Sequence, residues 1–342
     1  MEAMLAGAGG PSPGATFPVR RRSEFDVTDK IRTTDPVEVG NEVTRLFLEL
    51  YPEDWAAPKI EHAFHDMRLL YEGKHRDYLP CDTEYHDIQH VLDVTLAMAR
   101  LMDGYQSGGR NGYPALTKDL YLVGVLAALF HDFGYLRRRN DHKHRHGAEY
   151  TLVHVSRGAS FLRSYARGLG VEERLAQAAA TLVHFTGYER NADSIRVDDP
   201  VLRRVGEIIG TADIIAQMAD CCYLEKCRDR LYPEFVLGGL VRRKQPDGKT
   251  VTVYESGADL VRKTPGFYFN AMKRLNEQLK RVYVYAEKHL GGQNLYLEEM
   301  DKNQRYAQMA AAEERGHDPL RRTPPITLPP RVRAYPKELV IP

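Results

Sequence analysis

The sequence predicts an all-α protein with one small β-hairpin inserted between helices and with irregular ends. Apolar residues recur at the three- and four-residue spacing of a helix face along most of the chain, as in the segment 58–79. The run 250–254 instead alternates threonine and valine, and it follows the turn-forming sequence Pro-Asp-Gly at 246–248. A single strand signal among many helical ones indicates a hairpin insertion rather than a sheet-based fold.

Composition along the chain divides it into three parts. Residues 1–35 are rich in Gly, Pro and Ala and then in Arg, which predicts a flexible arm. The apolar periodicity of residues 36–305 predicts a helical domain, with the hairpin at about 238–262. Residues 306–342 contain several prolines, which favour an extended strap or disorder. The predicted helices cover 36–51, 58–79, 86–104, 117–132, 145–166, 171–185, 199–227 and 266–289.

The overall composition is that of a globular protein and argues against nucleic acids and membranes as partners. The chain has 342 residues, 43% of them hydrophobic, and a formal net charge of +1, so no overall charge attracts it to nucleic acid or to a membrane surface. It contains no run of about 18 apolar residues and no apolar signal core near its first charges. We expect a cytoplasmic protein whose cysteines, Cys81, Cys221, Cys222 and Cys227, are reduced thiols.

Histidines and aspartates recur in the predicted helical segments at positions that suit a metal site. These candidate ligands are His90, His131, Asp132, His154, His184 and Asp213. Divalent cations bind neutral imidazole nitrogens and carboxylate oxygens, and one aspartate can bridge two ions. His86 lies four residues before His90, so we expect both on one helix face, one binding metal and the other facing substrate. The apolar run 120–130 predicts a buried helix that ends at the polar pair His131-Asp132.

Each of these residues alone also has an ordinary explanation. His90 by itself would more often be a hydrogen-bonded core histidine than a ligand. Asp213 follows an apolar helical stretch and could pair with an arginine, and His184 fits a histidine bonded to a backbone carbonyl equally well. The histidines within 142–146 alternate with basic residues and are typical of a solvated loop. The metal hypothesis therefore depends on the six candidates acting together.

The same residues carry a resemblance to a known family. The segment 129–134, Leu-Phe-His-Asp-Phe-Gly, resembles the signature of the HD-domain metal-dependent phosphohydrolases. The segment 85–94 resembles the opening motif of the class I cyclic-nucleotide phosphodiesterases, and 210–213 is similar to the Ala-Asp segment that completes their metal site. The segment 154–162 resembles the third-ligand segment of the six-ligand HD subgroup that includes the HD-GYP phosphodiesterases, and His184 resembles its fourth ligand. The resemblance spans about residues 60–290.

This resemblance implies an HD-domain helical bundle that hydrolyses phosphodiesters with two divalent cations. Residues 36–305 would then be the catalytic domain. The metal identity stays open among Mn, Fe, Zn, Co and Mg. One ion would be held by His90, His131, Asp132 and Asp213, and the other by Asp132, His154 and His184. A bridging hydroxide would attack phosphorus, with Asp132 and His86 as the catalytic residues. His86 would protonate the leaving alkoxide, oriented by Asp87 or a nearby carboxylate.

The resemblance also suggests substrate contacts, with two departures from the family pattern. Arg137 follows the His-Asp pair and could bind a phosphate, although an exposed charged loop explains it equally well. Asn140 falls where the longer family motif ends in asparagine, but Tyr135 replaces a histidine within that motif. Phe267 resembles the phenylalanine that stacks on the base, and Thr264 stands where a glutamine is usual. We expect a small-molecule nucleotide or other phosphodiester as substrate.

Two other functions are compatible with the sequence. Six-ligand HD sites also hold two irons in mixed-valence oxygenases, which have no evident use for His86 as an acid. A nucleotide sensor without catalysis is the second alternative, and the complete ligand set argues against it. A homodimer is compatible with the sequence, which does not determine the oligomeric state.

Overall fold

The computed structural model describes residues 21–52, 54–109, 112–245, 247–312 and 320–329, so what was predicted for 1–20 and 330–342 lies outside the described residues. Helices account for most of this part of the chain, with one two-stranded sheet. The predicted all-α class with an inserted hairpin is confirmed. The α-helices are α1 (Pro36–Leu50), α2 (Ala57–Tyr71), α3 (Ile88–Gly104), α4 (Lys118–Phe130), α5 (His154–Gly168), α6 (Glu173–Val183), α7 (Pro200–Met218), α8 (Tyr223–Lys226), α9 (Tyr232–Leu237), α10 (Gly257–Glu277), α11 (Val284–His289) and α12 (Leu295–Ala312).

The hairpin pairs β1 (Arg242–Lys244) with β2 (Thr250–Thr252) in antiparallel register, with Arg243 opposite Val251. Both strands are exposed on both faces. Every helix in the described ranges is too short or too polar to cross a lipid bilayer.

The core forms around α3, which packs against α1, α4, α7 and α11. Residues Leu120–Phe130 of α4 are all buried, as the apolar run predicts. Gly124 allows α4 to approach α3 closely, because a Cβ there would lie 2.7 Å from both Met98 Cε and Met102 Sδ. This close packing fixes the ends of α3 and α4 relative to each other, and the candidate ligands lie at those ends.

Two helices end earlier than their patterns predict. α2 ends at Tyr71 rather than 79, since Gly73 turns the chain with a φ of +70°. α7 ends at Met218 rather than continuing to 227, because the Asp220 carboxylate accepts a hydrogen bond of 2.7 Å from the Cys222 backbone N–H and holds a turn.

Other boundaries differ because of capping side chains. The predicted helix 145–166 is divided into a 3-10 turn, Gly147–Tyr150, and α5, which begins at His154. α10 begins at Gly257 rather than 266, because Ser256 caps it by accepting a hydrogen bond of 3.1 Å from the Asp259 N–H. α12 was not among the predicted helices, and it extends past the domain boundary expected at 305.

Segments at both ends pack against this body. In the described part of the predicted arm, Asp26 forms an ion pair of 2.6 Å with Arg100 of α3, and both side chains are 3% exposed. Arg21 donates a hydrogen bond of 2.6 Å to the Ala219 carbonyl. Near the other end, residues 320–329 contain neither helix nor strand, and Pro325 accepts a hydrogen bond of 2.6 Å from Arg230.

Candidate active site

The start of α3, the end of α4 and the interior of α7 bring four of the predicted ligands together. His90 lies in the first turn of α3, and Asp87 caps that turn by accepting a hydrogen bond of 2.9 Å from the His90 N–H. His131 and Asp132 follow directly after α4. Asp213 lies in α7, which packs against both α3 and α4. All four residues are buried.

His90, His131 and Asp213 each place a ligand atom within 4.8 Å of the other two, and Asp132 lies beside both histidines. Asp132 Oδ2 lies 3.2 Å from the Nε2 atoms of both His90 and His131. The two Nε2 atoms are 3.3 Å apart, and Asp213 Oδ1 is 3.4 Å from that of His90 and 3.8 Å from that of His131. Ligands about 2.1 Å from one cation lie roughly 3.0–3.4 Å from each other. The spacing fits a shared divalent cation.

One buried atom supports this fit independently. Asp132 Oδ2 has no hydrogen-bond partner of acceptable geometry among the described residues, although two imidazole nitrogens lie beside it. A buried carboxylate oxygen without a hydrogen bond is costly unless a cation satisfies it. His131 leaves its Nε2 available, because its Nδ1 lies 2.8 Å from the Ala128 carbonyl and donates to it.

Electrostatics in this cluster also favour positive charge. Burial opposes protonation of His90, but Asp132 and Asp213 outweigh it and raise the pKa of His90 to about 10. Burial similarly opposes ionisation of Asp132, yet His131 and His90 hold the pKa of Asp132 well below its usual range. The two carboxylates therefore attract either protons on the imidazoles or a cation between them. Cation binding would release those protons.

His154 reaches the other oxygen of the same aspartate. Its Nε2 lies 3.6 Å from Asp132 Oδ1, and its Nδ1 lies 2.6 Å from the Thr151 carbonyl. Burial lowers the pKa of His154, so its imidazole is neutral and retains a lone pair. The two oxygens of Asp132 thus face histidines on opposite sides.

Two glycines allow His154 to approach. A Cβ on Gly134, in the turn after Asp132, would lie 1.9 Å from the His154 carbonyl oxygen. A Cβ on Gly158 would lie 2.8 Å from the His131 carbonyl oxygen. Both distances are too short for any side chain, so only glycine lets the start of α5 lie against the His131-Asp132 turn.

The expectation for His86 is wrong in one respect. His86 does not share a helix face with His90, because Asp87 caps α3 and the chain before it is not helical. Its ring nevertheless lies 5.7 Å from the His90 ring. The carboxylate beside His86 is that of Glu234 in α9 rather than that of Asp87, with Glu234 Oε2 2.5 Å from His86 Nδ1. The Asp87 carboxylate instead faces Arg230, at 3.6 Å.

Glu234 is fully buried and fixed on both oxygens. Its Oε1 accepts a hydrogen bond of 2.7 Å from the Tyr85 N–H, while its Oε2 faces His86. Burial opposes the charge of Glu234, but His86 outweighs it and lowers the pKa of Glu234. Sequence reasoning missed this residue, because it lies 148 positions from His86 in a segment without a recognisable motif.

Tyr135 fills the position where the family motif has a histidine. Its ring stacks on those of His86 and His154, with each pair of centroids 4.4 Å apart and with interplanar angles of 18° and 20°. Burial raises the pKa of Tyr135 well above its usual range, so the phenol stays neutral. The two imidazole planes are inclined by 38° to each other, and the sequence alone did not suggest that Tyr135 contacts both rings.

A cavity of about 490 Å³ opens onto this cluster. His86, His90, Asp132, His154 and Asp213 line one side of it. The opposite walls are largely apolar and aromatic, and they include Tyr188, Phe235, Tyr254, Leu260 and Phe267. The volume and lining are typical of a small-molecule site.

The predicted substrate contacts divide between this cavity and the exterior. Phe267 and Thr264 line the cavity, and the Phe267 ring lies 6.2 Å from that of Tyr188. Among the described residues, neither Arg137 nor Asn140 is part of its walls. The Arg137 guanidinium binds Asp82 at 2.8 Å, and Asn140 is exposed in a turn. The structure therefore does not bring these two residues to the cavity.

His184 also lies apart from the four-residue cluster. It caps the end of α6 and lines a neighbouring cavity, and its Nδ1 is 3.2 Å from Glu189 Oε1. Glu189 in turn lines the cavity that opens onto the His/Asp cluster. Of the ligands expected for the second ion, His154 lies beside Asp132, whereas His184 pairs with Glu189 and lines the neighbouring cavity.

The comparisons with known proteins add a family and two solved structures. The sequence model of the Npun_R2479-like family matches residues 76–298. No curated protein matches the chain significantly. The phosphodiesterase domain of the RhoPDE fusion protein from the choanoflagellate Salpingoeca rosetta is 15% identical, covering 85% of this chain and 95% of that domain, with a TM-score of 0.47. A second structure of the phosphodiesterase domain of Salpingoeca rosetta rhodopsin phosphodiesterase is 13% identical, covering 85% and 91%, with a TM-score of 0.49. Both TM-scores are below 0.5, so neither likeness carries weight for the activity.

Proposed function

This chain belongs to the Npun_R2479-like family, and from the geometry of its site we propose that it is a metal-dependent phosphodiester hydrolase. The substrate class we propose is a cyclic nucleotide or a related small phosphodiester. One observation carries the proposal: a metal-type His/Asp cluster and a carboxylate-held histidine, His86, line the same cavity. Its assignment to the HD-domain phosphohydrolases remains a prediction from the motifs.

The cluster supplies the binding groups for a first cation. His90, His131, Asp132 and Asp213 would hold it, and Asp132 and His154 would contribute to a second, with His184 as its remaining predicted ligand. Divalent cations there would supply Lewis-acid activation of water and neutralisation of phosphoryl charge. Cation number and identity stay open, since His/Asp sites accept several metals.

His86 is placed to donate a proton to the leaving oxygen. Glu234 accepts a hydrogen bond of 2.5 Å from the Nδ1–H of His86. The proton to be transferred would therefore be carried on Nε2. Tyr135 stacks on the ring and fixes its plane. The arrangement is a general acid with an orienting carboxylate, beside a site for phosphoryl oxygens.

The apolar half of the cavity suits a nucleoside. Phe267 and Tyr188 present aromatic rings on one wall, and Leu260 lies among the lining residues. Aromatic side chains stack on nucleobases with little dependence on the base. Thr264 lines this cavity where the family pattern has a glutamine, so an amide at that position does not set the base preference.

Two substitutions test the proposal by separating metal binding from acid catalysis. In His131→Ala we expect loss of both bound metal and hydrolysis, measured by elemental analysis and by turnover of bis-p-nitrophenyl phosphate. In His86→Ala we expect metal content to be retained and turnover to fall by about 10²-fold or more. Unchanged turnover in His86→Ala would show that His86 is not the acid. Two bound irons with no hydrolysis would favour the oxygenase alternative.

A further inference from the structure

A second cavity lies beside the catalytic one, on the other side of His184. It has a volume of about 800 Å³ and runs between α5, α6 and the loop that leads to α7. We call it the arginine groove, after the four arginines in its walls: Arg163 and Arg167 of α5, and Arg190 and Arg196 of the loop. The catalytic proposal makes no use of these residues.

The charge of the groove is strongly positive. Glu173 pairs with both Arg163 and Arg167, with an oxygen 2.7 Å from the Arg167 Nε. Arg190 and Arg196 have no ion pair within the part of the chain that the structure describes, and no carboxylate lines the groove there. One shared carboxylate against four guanidinium groups leaves an excess of positive charge in a concave site.

The groove is also held in shape before any ligand binds. α5 and α6 pack against each other along one side. On the other side, the Arg203 guanidinium donates hydrogen bonds of 3.0 Å to the Ile195 carbonyl and 3.4 Å to the Ala192 carbonyl, which fixes the loop. The Ser160 hydroxyl also lines the groove, and the Thr181 hydroxyl there donates a hydrogen bond of 3.1 Å to the Gln177 carbonyl. The fixed backbone thus carries four exposed guanidinium groups on the walls of one groove, and guanidinium is the donor that recognises phosphate.

We propose that the arginine groove binds the phosphate chain of a small molecule, such as a nucleoside polyphosphate. Guanidinium groups bind phosphate by two parallel hydrogen bonds, and four of them match a chain of several phosphates. The groove has a volume of about 800 Å³, which is the size of a small-molecule site. The His184–Glu189 contact of 3.2 Å separates this site from the catalytic cavity.

Isothermal titration calorimetry with inorganic tripolyphosphate and with ATP tests this site, using full-length protein stripped of metal by EDTA. We expect Arg190→Ala/Arg196→Ala to bind both roughly tenfold or more weakly than the unmodified protein. The matched control, Arg76→Ala/Arg174→Ala, removes two exposed arginines outside the groove and should bind normally. Equal binding by the groove variant and the control would overturn the proposal.

Two further arms separate this site from the alternatives. His131→Ala should retain tripolyphosphate binding, because the groove does not depend on the metal cluster, so failure of the hydrolase proposal leaves this result untouched. Loss of binding in His131→Ala together with normal binding in the groove variant would place the anion at the metal cluster and contradict the proposal. Binding of a 20-nucleotide single-stranded DNA without binding of tripolyphosphate or ATP would overturn the small-molecule assignment.

Discussion

Substitution of Glu234 by glutamine isolates the role of the carboxylate that faces His86. The change keeps the size of a side chain that is 0% exposed, and it replaces the charged acceptor 2.5 Å from His86 Nδ1 with a neutral amide. A hydrogen bond to a charged partner contributes about 1.5–3 kcal/mol. Loss of that contribution from the transition state corresponds to a decrease in kcat of roughly 10- to 150-fold.

The assay is steady-state hydrolysis of bis-p-nitrophenyl phosphate with metal content measured in parallel. We expect kcat to fall while KM and bound metal stay unchanged, since Glu234 acts through His86 and not on substrate or cation. Glu207→Gln is a matched control, because Glu207 is also buried and ion-paired, with Arg204 at 2.7 Å, and does not line the cavity at the His/Asp cluster. An unchanged kcat in Glu234→Gln, or an equal fall in the control, would refute the reasoning.

Three further predictions follow from the packing and the charges. Gly134→Ala should destabilise the protein by about 1–3 kcal/mol or more and reduce its metal content, because the added Cβ would lie 1.9 Å from the His154 carbonyl oxygen. Thermal denaturation measures the loss of stability. The control is Gly168→Ala, since nothing lies within 4 Å of a Cβ at that position. Asp26→Asn should cost about 3–5 kcal/mol at pH 7, by denaturant unfolding, because it leaves Arg100 buried without its partner. Burial opposes the charge of Asp26, but Arg100 outweighs burial and lowers the pKa of Asp26 in the folded protein. The stability that the ion pair contributes is therefore fully present above pH 3.8, the usual pKa, and is lost as the pH falls through the lower pKa of the folded state. The difference between the two proteins should therefore shrink in acid, and a constant difference would contradict the ion-pair account. Phe267→Ala should raise KM for a cyclic nucleotide by roughly 5- to 150-fold through lost stacking, and an unchanged KM would remove Phe267 from the site.

The sequence was sufficient for the parts of the site that depend on local pattern. The apolar run before His131 predicts a buried helix because its burial is a property of neighbouring residues. His90 and Asp213 were found from motifs, and the helices that carry them, α3 and α7, pack against each other. These residues lie at helix ends or faces that the periodicity locates to within a few positions.

Other features depend on contacts between distant segments, which periodicity does not encode. Glu234 and His86 are 148 residues apart, and their pairing exists only because α9 lies against the turn before α3. Arg137 lies away from the cavity because its guanidinium forms an ion pair with Asp82. Helix boundaries near Asp87 and Ser256 were set by single capping hydrogen bonds that compete with the apolar pattern.

The central claim is that the buried His/Asp cluster binds divalent cations that support phosphodiester hydrolysis. The most direct measurement strips the protein of metal, refills it separately with Mn, Fe, Zn and Mg, and follows hydrolysis of bis-p-nitrophenyl phosphate, cyclic AMP and cyclic GMP. We predict turnover that depends on added metal and is absent from His131→Ala. Inactivity on all three substrates with every metal, in protein shown to have bound the metal, would contradict the claim.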